Sequence, residues 1–61
     1  MTGKEVVKRL KKLGWKVERI HGSHHIMKKG SQIEPIPVHG NKDLPIGLLK
    51  AIAKRTGLNI N

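Results

Sequence analysis

Trp15-Lys16-Val17-Glu18-Arg19-Ile20-His21, then Gly22-Ser23, then His24-His25-Ile26-Met27-Lys28-Lys29, is the stretch that decides the fold. Two runs able to extend flank a glycine-serine pair, and glycine accepts the positive φ that tight hairpin turns demand. The stretch therefore reads as a β-hairpin. The first run alternates imperfectly, with Trp15 and Val17 on one side. In the second, His24, Ile26 and Lys28 share one face, while His25, Met27 and Lys29 share the other. His24 is the first residue out of the turn, where the backbone is fixed and solvent still reaches. Histidine titrates near neutral pH unaided, so one proton donor and acceptor is placed at the hairpin mouth.

Outward from the hairpin, Gly30-Ser31 reads as a second turn and Ile33-Glu34-Pro35-Ile36-Pro37-Val38 as a third strand. Its two prolines lack donors on the same side of the chain, so it pairs only through its other side and forms a sheet edge. Upstream, Thr2-Gly3-Lys4-Glu5 has the form of a capping box and predicts a helix starting near Gly3. Val6, Leu10 and Leu13 fall on one face, and Gly14 stops the helix. Downstream, Asp43 or the Leu44 position is expected to cap a second helix with Pro45 in its first turn. Leu48, Leu49, Ile52 and Ala53 are its apolar stripe, with Lys50, Lys54 and Arg55 facing out. Gly57 ends it, and Leu58-Asn59-Ile60-Asn61 is a tail whose apolar pair is placed to dock. The order is helix, three-stranded antiparallel meander, helix: a single α+β domain over residues 1–61, with both helices on one face of the sheet and the other face open.

Thirteen Lys and Arg stand against four acids (Glu5, Glu18, Glu34 and Asp43), giving +9 with histidines neutral. That imbalance calls for an anionic partner, nucleic acid first and an acidic protein second. Ten of the thirteen cations are Lys, which argues against base reading by bidentate Arg. The absence of cysteine excludes disulfides, thiolate catalysis and Cys-based zinc frameworks. No apolar run approaches the roughly 20 residues of a membrane span, and no signal peptide opens the chain. A cytoplasmic protein is expected. Sixty-one residues bury a modest core, which disfavours a deep enclosed site.

RNA carries its own nucleophile, the 2′-hydroxyl, so a ribonuclease must only move protons and stabilise charge on the phosphate. His24 flanked by Arg19, Lys28 and Lys29 supplies such parts. Read without a family, a turn-capping role for His24 is at least as well supported. His25, on the opposite face, reads as structural or substrate-touching. His39 follows the third strand, whose end approaches the start of the second, and is an auxiliary candidate for phosphate contact. His21 reads as a solvent-facing strand residue. The histidines do not converge as metal ligands and the field is positive, so neither metal nor other cofactor is expected.

Gly14-Trp15 after a basic helix, Gly22-Ser23-His24-His25, Pro37-Val38-His39, Leu44-Pro45-Ile46-Gly47 leading into Leu48-Leu49-Lys50-Ala51-Ile52, and Gly57-Leu58 together resemble the HicA toxin family over nearly the whole chain. The resemblance implies a fold like the double-stranded-RNA-binding domain and a metal-independent mRNA interferase that arrests translation. It implies that the essential histidine is His24, supported by Gly22 and Ser23 of the turn, with His25 the alternative in relatives with an added residue. It also implies a HicB-like antitoxin partner, with DNA reached only through that antitoxin. The alternative function is a non-catalytic double-stranded-RNA-binding module, and a third is an interaction protein whose charge serves only an acidic partner.

Overall fold

The computed structural model describes residues 1–60; Asn61, the end of the expected tail, lies outside the described residues. Helix α1 spans Gly3–Lys12, strands β1, β2 and β3 span Lys16–His21, His24–Lys29 and Gln32–Pro37, and helix α2 spans Ile46–Thr56. The strands lie in the order β1-β2-β3, each antiparallel to the next. This is the expected α+β order. Trp15 precedes β1 instead of opening it, and β3 starts and ends one residue earlier than the sequence suggests.

Local chemistry accounts for the ends of α1. The Thr2 hydroxyl oxygen accepts from the Glu5 N–H at 3.2 Å and its hydroxyl faces Glu5 Oε1 at 3.4 Å, which satisfies one of the free donors of the first turn. At the other end Gly14 takes φ 98°. The Trp15 N–H then donates to the Leu10 carbonyl at 3.0 Å, and the Gly14 N–H to the Lys11 carbonyl at 3.1 Å. This double closure is a Schellman motif, and it brings Trp15 back over Leu10 in the core. The start of α2 corrects the sequence reading. Its N-cap is Pro45, without a side-chain cap, whereas Asp43 pairs across to Thr2 and lies 3.2 Å from the Met1 amino group. The Leu44 N–H is spent on the Met1 carbonyl at 2.9 Å, so this segment is strapped to the start of α1 and is not free to cap.

Both hairpins use two-residue Gly-Ser loops, with φ of 60° at Gly22 and 59° at Gly30. Glycine first and an ordinary φ second is the type II′ pattern, whose twist matches that of the strands. On β3 the Val38 N–H donates to the Ser23 carbonyl at 2.7 Å, so its alternates Ile36 and Glu34 also turn toward β2. Pro35 and Pro37 consequently turn outward along the edge, as expected.

Both helices place their apolar residues against one face of the sheet. Val6 and Leu10 from α1, Met27 and Ile36 from β2 and β3, and Ile52 from α2 are fully buried in one cluster that Trp15, Leu49 and Leu58 complete. Each such side chain contributes roughly 1.5–3 kcal/mol by leaving water. Ile60 packs against the cluster, so the tail docks, and Arg9 donates to the Asn59 carbonyl at 3.3 Å.

Glu34 also points into this face and is only 4% exposed. Arg55 answers it: Nε lies 3.1 Å from both carboxylate oxygens and Nη2 donates to Oε1. The guanidinium is held above its usual pKa by that hydrogen bond and by the carboxylate's charge. Arg55 therefore does not simply face out, as its place in the helix suggested; its head folds back over a buried acid that would otherwise lack a partner.

One contact sets how α1 meets the sheet. A Cβ on Gly3 would stand 2.1 Å from the Pro37 carbonyl oxygen, with the Val38 Cα also at 3.0 Å. Only glycine permits this approach. Gly3→Ala is expected to cost about 2 kcal/mol or more in denaturant unfolding. Gly47→Ala, in α2 with nothing within 4 Å of the added methyl, is expected to be neutral or slightly stabilising.

Candidate active site

Two register facts build the site. In β2, His24 pairs with Pro37 on one side and His21 on the other, while His25 pairs with Ile36 and Ile20. Residues paired across a ladder share a face. His25 thus joins Met27 and Ile36 on the helix-covered face, and His24 stands on the open face with Ile26 and Lys28. Burial agrees: His24 is exposed and His25 half-buried, with its Nδ1 shielded and unpartnered among the described residues.

The second fact is a β-bulge. Val17 faces Met27, yet Arg19, two residues on, faces Ile26, the very next residue of β2. Glu18 is the extra residue, and it reverses the alternation of β1. Val17 stays on the core face, while Arg19 and His21 turn to the open face beside His24. A regular strand would have sent Arg19 and His21 inward with Val17. The sequence carried a sign of this in Val17 and Ile20, two apolar residues an odd three apart that only an irregularity brings to one face. Ile20 remains 60% exposed at the end of that face.

The basic residues are distributed along β2. Arg19 lies two rungs from the hairpin mouth. Lys28 shares the open face but lies about 13 Å along the strand from His24 at the usual rise per residue. Its ammonium is 3.8 Å from Glu18, with both side chains near half-exposed, a pairing of little energetic weight. Lys29 is on the other face, at the far end, where its stem passes over Gly14. With Lys16, Lys28 and Gly30 it lines a groove of about 400 Å³, remote from His24. Arg19 is therefore the cation nearest to His24 along the face, and Lys28 and Lys29 mark the opposite end.

At the His24 end the chain leaves β3 through Val38 and turns at His39, where the Lys42 N–H donates to the His39 carbonyl at 3.1 Å. His39 is exposed and lines a second groove, of about 350 Å³, with Pro37, Lys42, Pro45 and Leu48. Pro37 is the cross-strand neighbour of His24, so this groove opens beside the hairpin mouth. His21 and His24 are thus paired at one end of the sheet, and His39 lies beyond the end of β3 on the far side of Pro37. Gly22 and Ser23 hold the turn between the first two. Among the described residues no three His, Asp or Glu side chains are grouped so as to hold a metal ion, and no helix is long and apolar enough to cross a membrane.

A thin two-layer α+β body with ionisable groups and cations on an open sheet face defines a small basic protein with an exposed, shallow candidate site. Residues 3–58 match the family model described as HicA toxin of bacterial toxin-antitoxin. The chain belongs to the HicA toxin family. It is accordingly the toxin of a toxin–antitoxin system, and a cognate antitoxin is its partner. No curated protein and no solved structure matches the chain.

The opposite facing of the two adjacent histidines has a measurable consequence. His25→Ala, which opens space against Ile36, is expected to lower unfolding free energy by about 1–2 kcal/mol. His24→Ala, on the exposed face, is expected to stay within about 0.5 kcal/mol of the native protein in the same denaturant titration.

Proposed function

We propose that this toxin is an endoribonuclease that cleaves mRNA without a metal ion and so arrests translation in the cytoplasm, with His24 transferring a proton in the cleavage step. The observation that carries the reading is the placement of His24: exposed, fixed by a two-residue turn, on the open face of a protein of charge +9. The 2′-hydroxyl of the substrate attacks the adjacent phosphorus, and the 5′-oxygen leaves. An imidazole at the hairpin mouth meets the requirement for a group that moves a proton at one of these oxygens near neutral pH. Arg19 stabilises charge growing on the phosphate, Lys28 holds the RNA backbone further along the open face, Lys29 meets the strand only where it passes round the far end of β2, and His39 contacts a neighbouring phosphate across the Pro37 edge. His25, facing the core, supports the strand. Gly22 and Ser23 fix the position of His24.

The antitoxin, in this reading a HicB-like protein, acts by covering the open face. The site is shallow and lies in one plane, so a partner with acidic groups opposite Arg19 and Lys28 would displace RNA without changing the toxin's shape. DNA is contacted only through that antitoxin.

The test is RNA cleavage in excess EDTA with proteins first shown to be folded and to bind RNA. Native protein and His25→Ala are expected to cleave, and His24→Ala to lose roughly 10²–10⁴-fold in rate, the usual contribution of general acid–base catalysis. Equal cleavage by native protein and His24→Ala would remove His24 from the reaction, RNA binding without cleavage by any of the three would leave RNA binding alone, and complete inhibition by EDTA would remove the metal-free mechanism.

A further inference from the structure

His21 and His24 are the two residues that flank the Gly22-Ser23 loop, and they face each other directly across the β1–β2 ladder. Residues in this relation have Cβ atoms about 5 Å apart and side chains on the same face. Both are exposed. The bulge at Glu18 is what turns His21 to this side, so a feature that disrupts the ladder coincides with the pairing of the two imidazoles. We infer that His21 is the second proton carrier of the proposed cleavage, working with His24 on opposite sides of the scissile phosphate. This rests on the reading of His24 given above.

The chemistry requires two groups. In transesterification the bond from O2′ to phosphorus forms as the bond from phosphorus to O5′ breaks, with entering and leaving oxygens on opposite sides of the phosphorus. One neutral imidazole takes the 2′-hydroxyl proton, and one imidazolium gives a proton to the departing O5′. The products are a 2′,3′-cyclic phosphate and a 5′-hydroxyl, and exchange with water restores both histidines. A single imidazole on a flat surface does not reach both oxygens at once. Two imidazoles on neighbouring strands, splayed from Cβ atoms about 5 Å apart, straddle one phosphate.

The surroundings favour His21 over the other candidates for this role. His25 is on the wrong face, and His39 lies beyond the end of β3, separated from His24 by the position of Pro37. The charged groups sharing the open face are Arg19 and Lys16 of β1, Lys28 of β2 and Glu18 at the bulge; β3 presents Ile33, Pro35 and Pro37, which carry no charge. Neither histidine has a carboxylate within 4.0 Å among the described residues, so their protons pass to substrate or water.

The experiment compares native protein with His21→Gln, His24→Gln and His39→Gln on an oligoribonucleotide and on the same sequence with sulfur replacing O5′ at the scissile bond, across pH 5 to 9. Thiolate leaves without protonation, so a variant lacking the acid recovers on the sulfur substrate and one lacking the base does not. The expected result is a bell-shaped native profile, loss of roughly 10²-fold or more for both His21→Gln and His24→Gln, one limb of the bell missing in each, and recovery on sulfur by one of the two. His21→Gln within about twofold of native at every pH, with His24→Gln inactive, would overturn the pair and leave the His24 reading standing. So would recovery on sulfur by His39→Gln instead. Full activity of His24→Gln would overturn both readings together.

Discussion

The register of β2 is the constraint on which the rest depends. A two-residue loop closes each end of this central strand, and glycine at positive φ in both loops leaves no slack for a slip. Because side chains alternate with a period of two, a one-residue shift would send Met27 to solvent and His24 into the core. The same alternation that buries Met27 against α1 and α2 exposes His24. Stability and site are therefore two faces of one register, and the hydrophobic drive to bury Met27 and Ile36 holds the imidazole of His24 outward.

Around that strand the neighbouring elements divide their tasks. β1 carries the irregularity at Glu18 that aims Arg19 and His21. β3 carries the prolines that close the sheet's edge to other chains, and the Gly3 contact with Pro37 ties its end to α1. Glu34 and Arg55 clip β3 to the last turn of α2. The Gly3 contact and the Glu34–Arg55 clip hold the covered side together, leaving an open face made of cations, imidazoles, isoleucine and proline, with Glu18 at the bulge. A molecule whose thinnest dimension is 17 Å has no depth in which to hide a site, so control by a covering partner suits the geometry of a toxin that must be held silent.

What was legible in the sequence was local. Thr2 with Glu5, Gly14 after Leu13, the two Gly-Ser pairs and the spaced prolines each act within a few residues, and each appears where its chemistry places it. The facing of His24 and His25 followed from the same short-range alternation. What was hidden depends on residues far apart in the chain. The Gly3 approach needs Pro37 to be known as its neighbour, and the partner of Arg55 lies 21 positions away. Pro45 caps α2 because Asp43 and Leu44 are already engaged with Met1 and Thr2. The bulge was legible only in part, through the odd spacing of Val17 and Ile20; the solvent exposure of His21 was read from the sequence, but its place with Arg19 on the same face as His24 was not.

The chemistry assigned to the open face is tested most directly by the ends it leaves. Mass spectrometry of a short RNA cut by the native protein is expected to show a 2′,3′-cyclic phosphate (or its hydrolysis product) on one fragment and a 5′-hydroxyl on the other, with no cutting when the nucleotide before the break is 2′-deoxy. A 5′-phosphate facing a 3′-hydroxyl, or cleavage of the deoxy substrate, would mean that water and not the 2′-hydroxyl is the nucleophile, and would contradict the assignment.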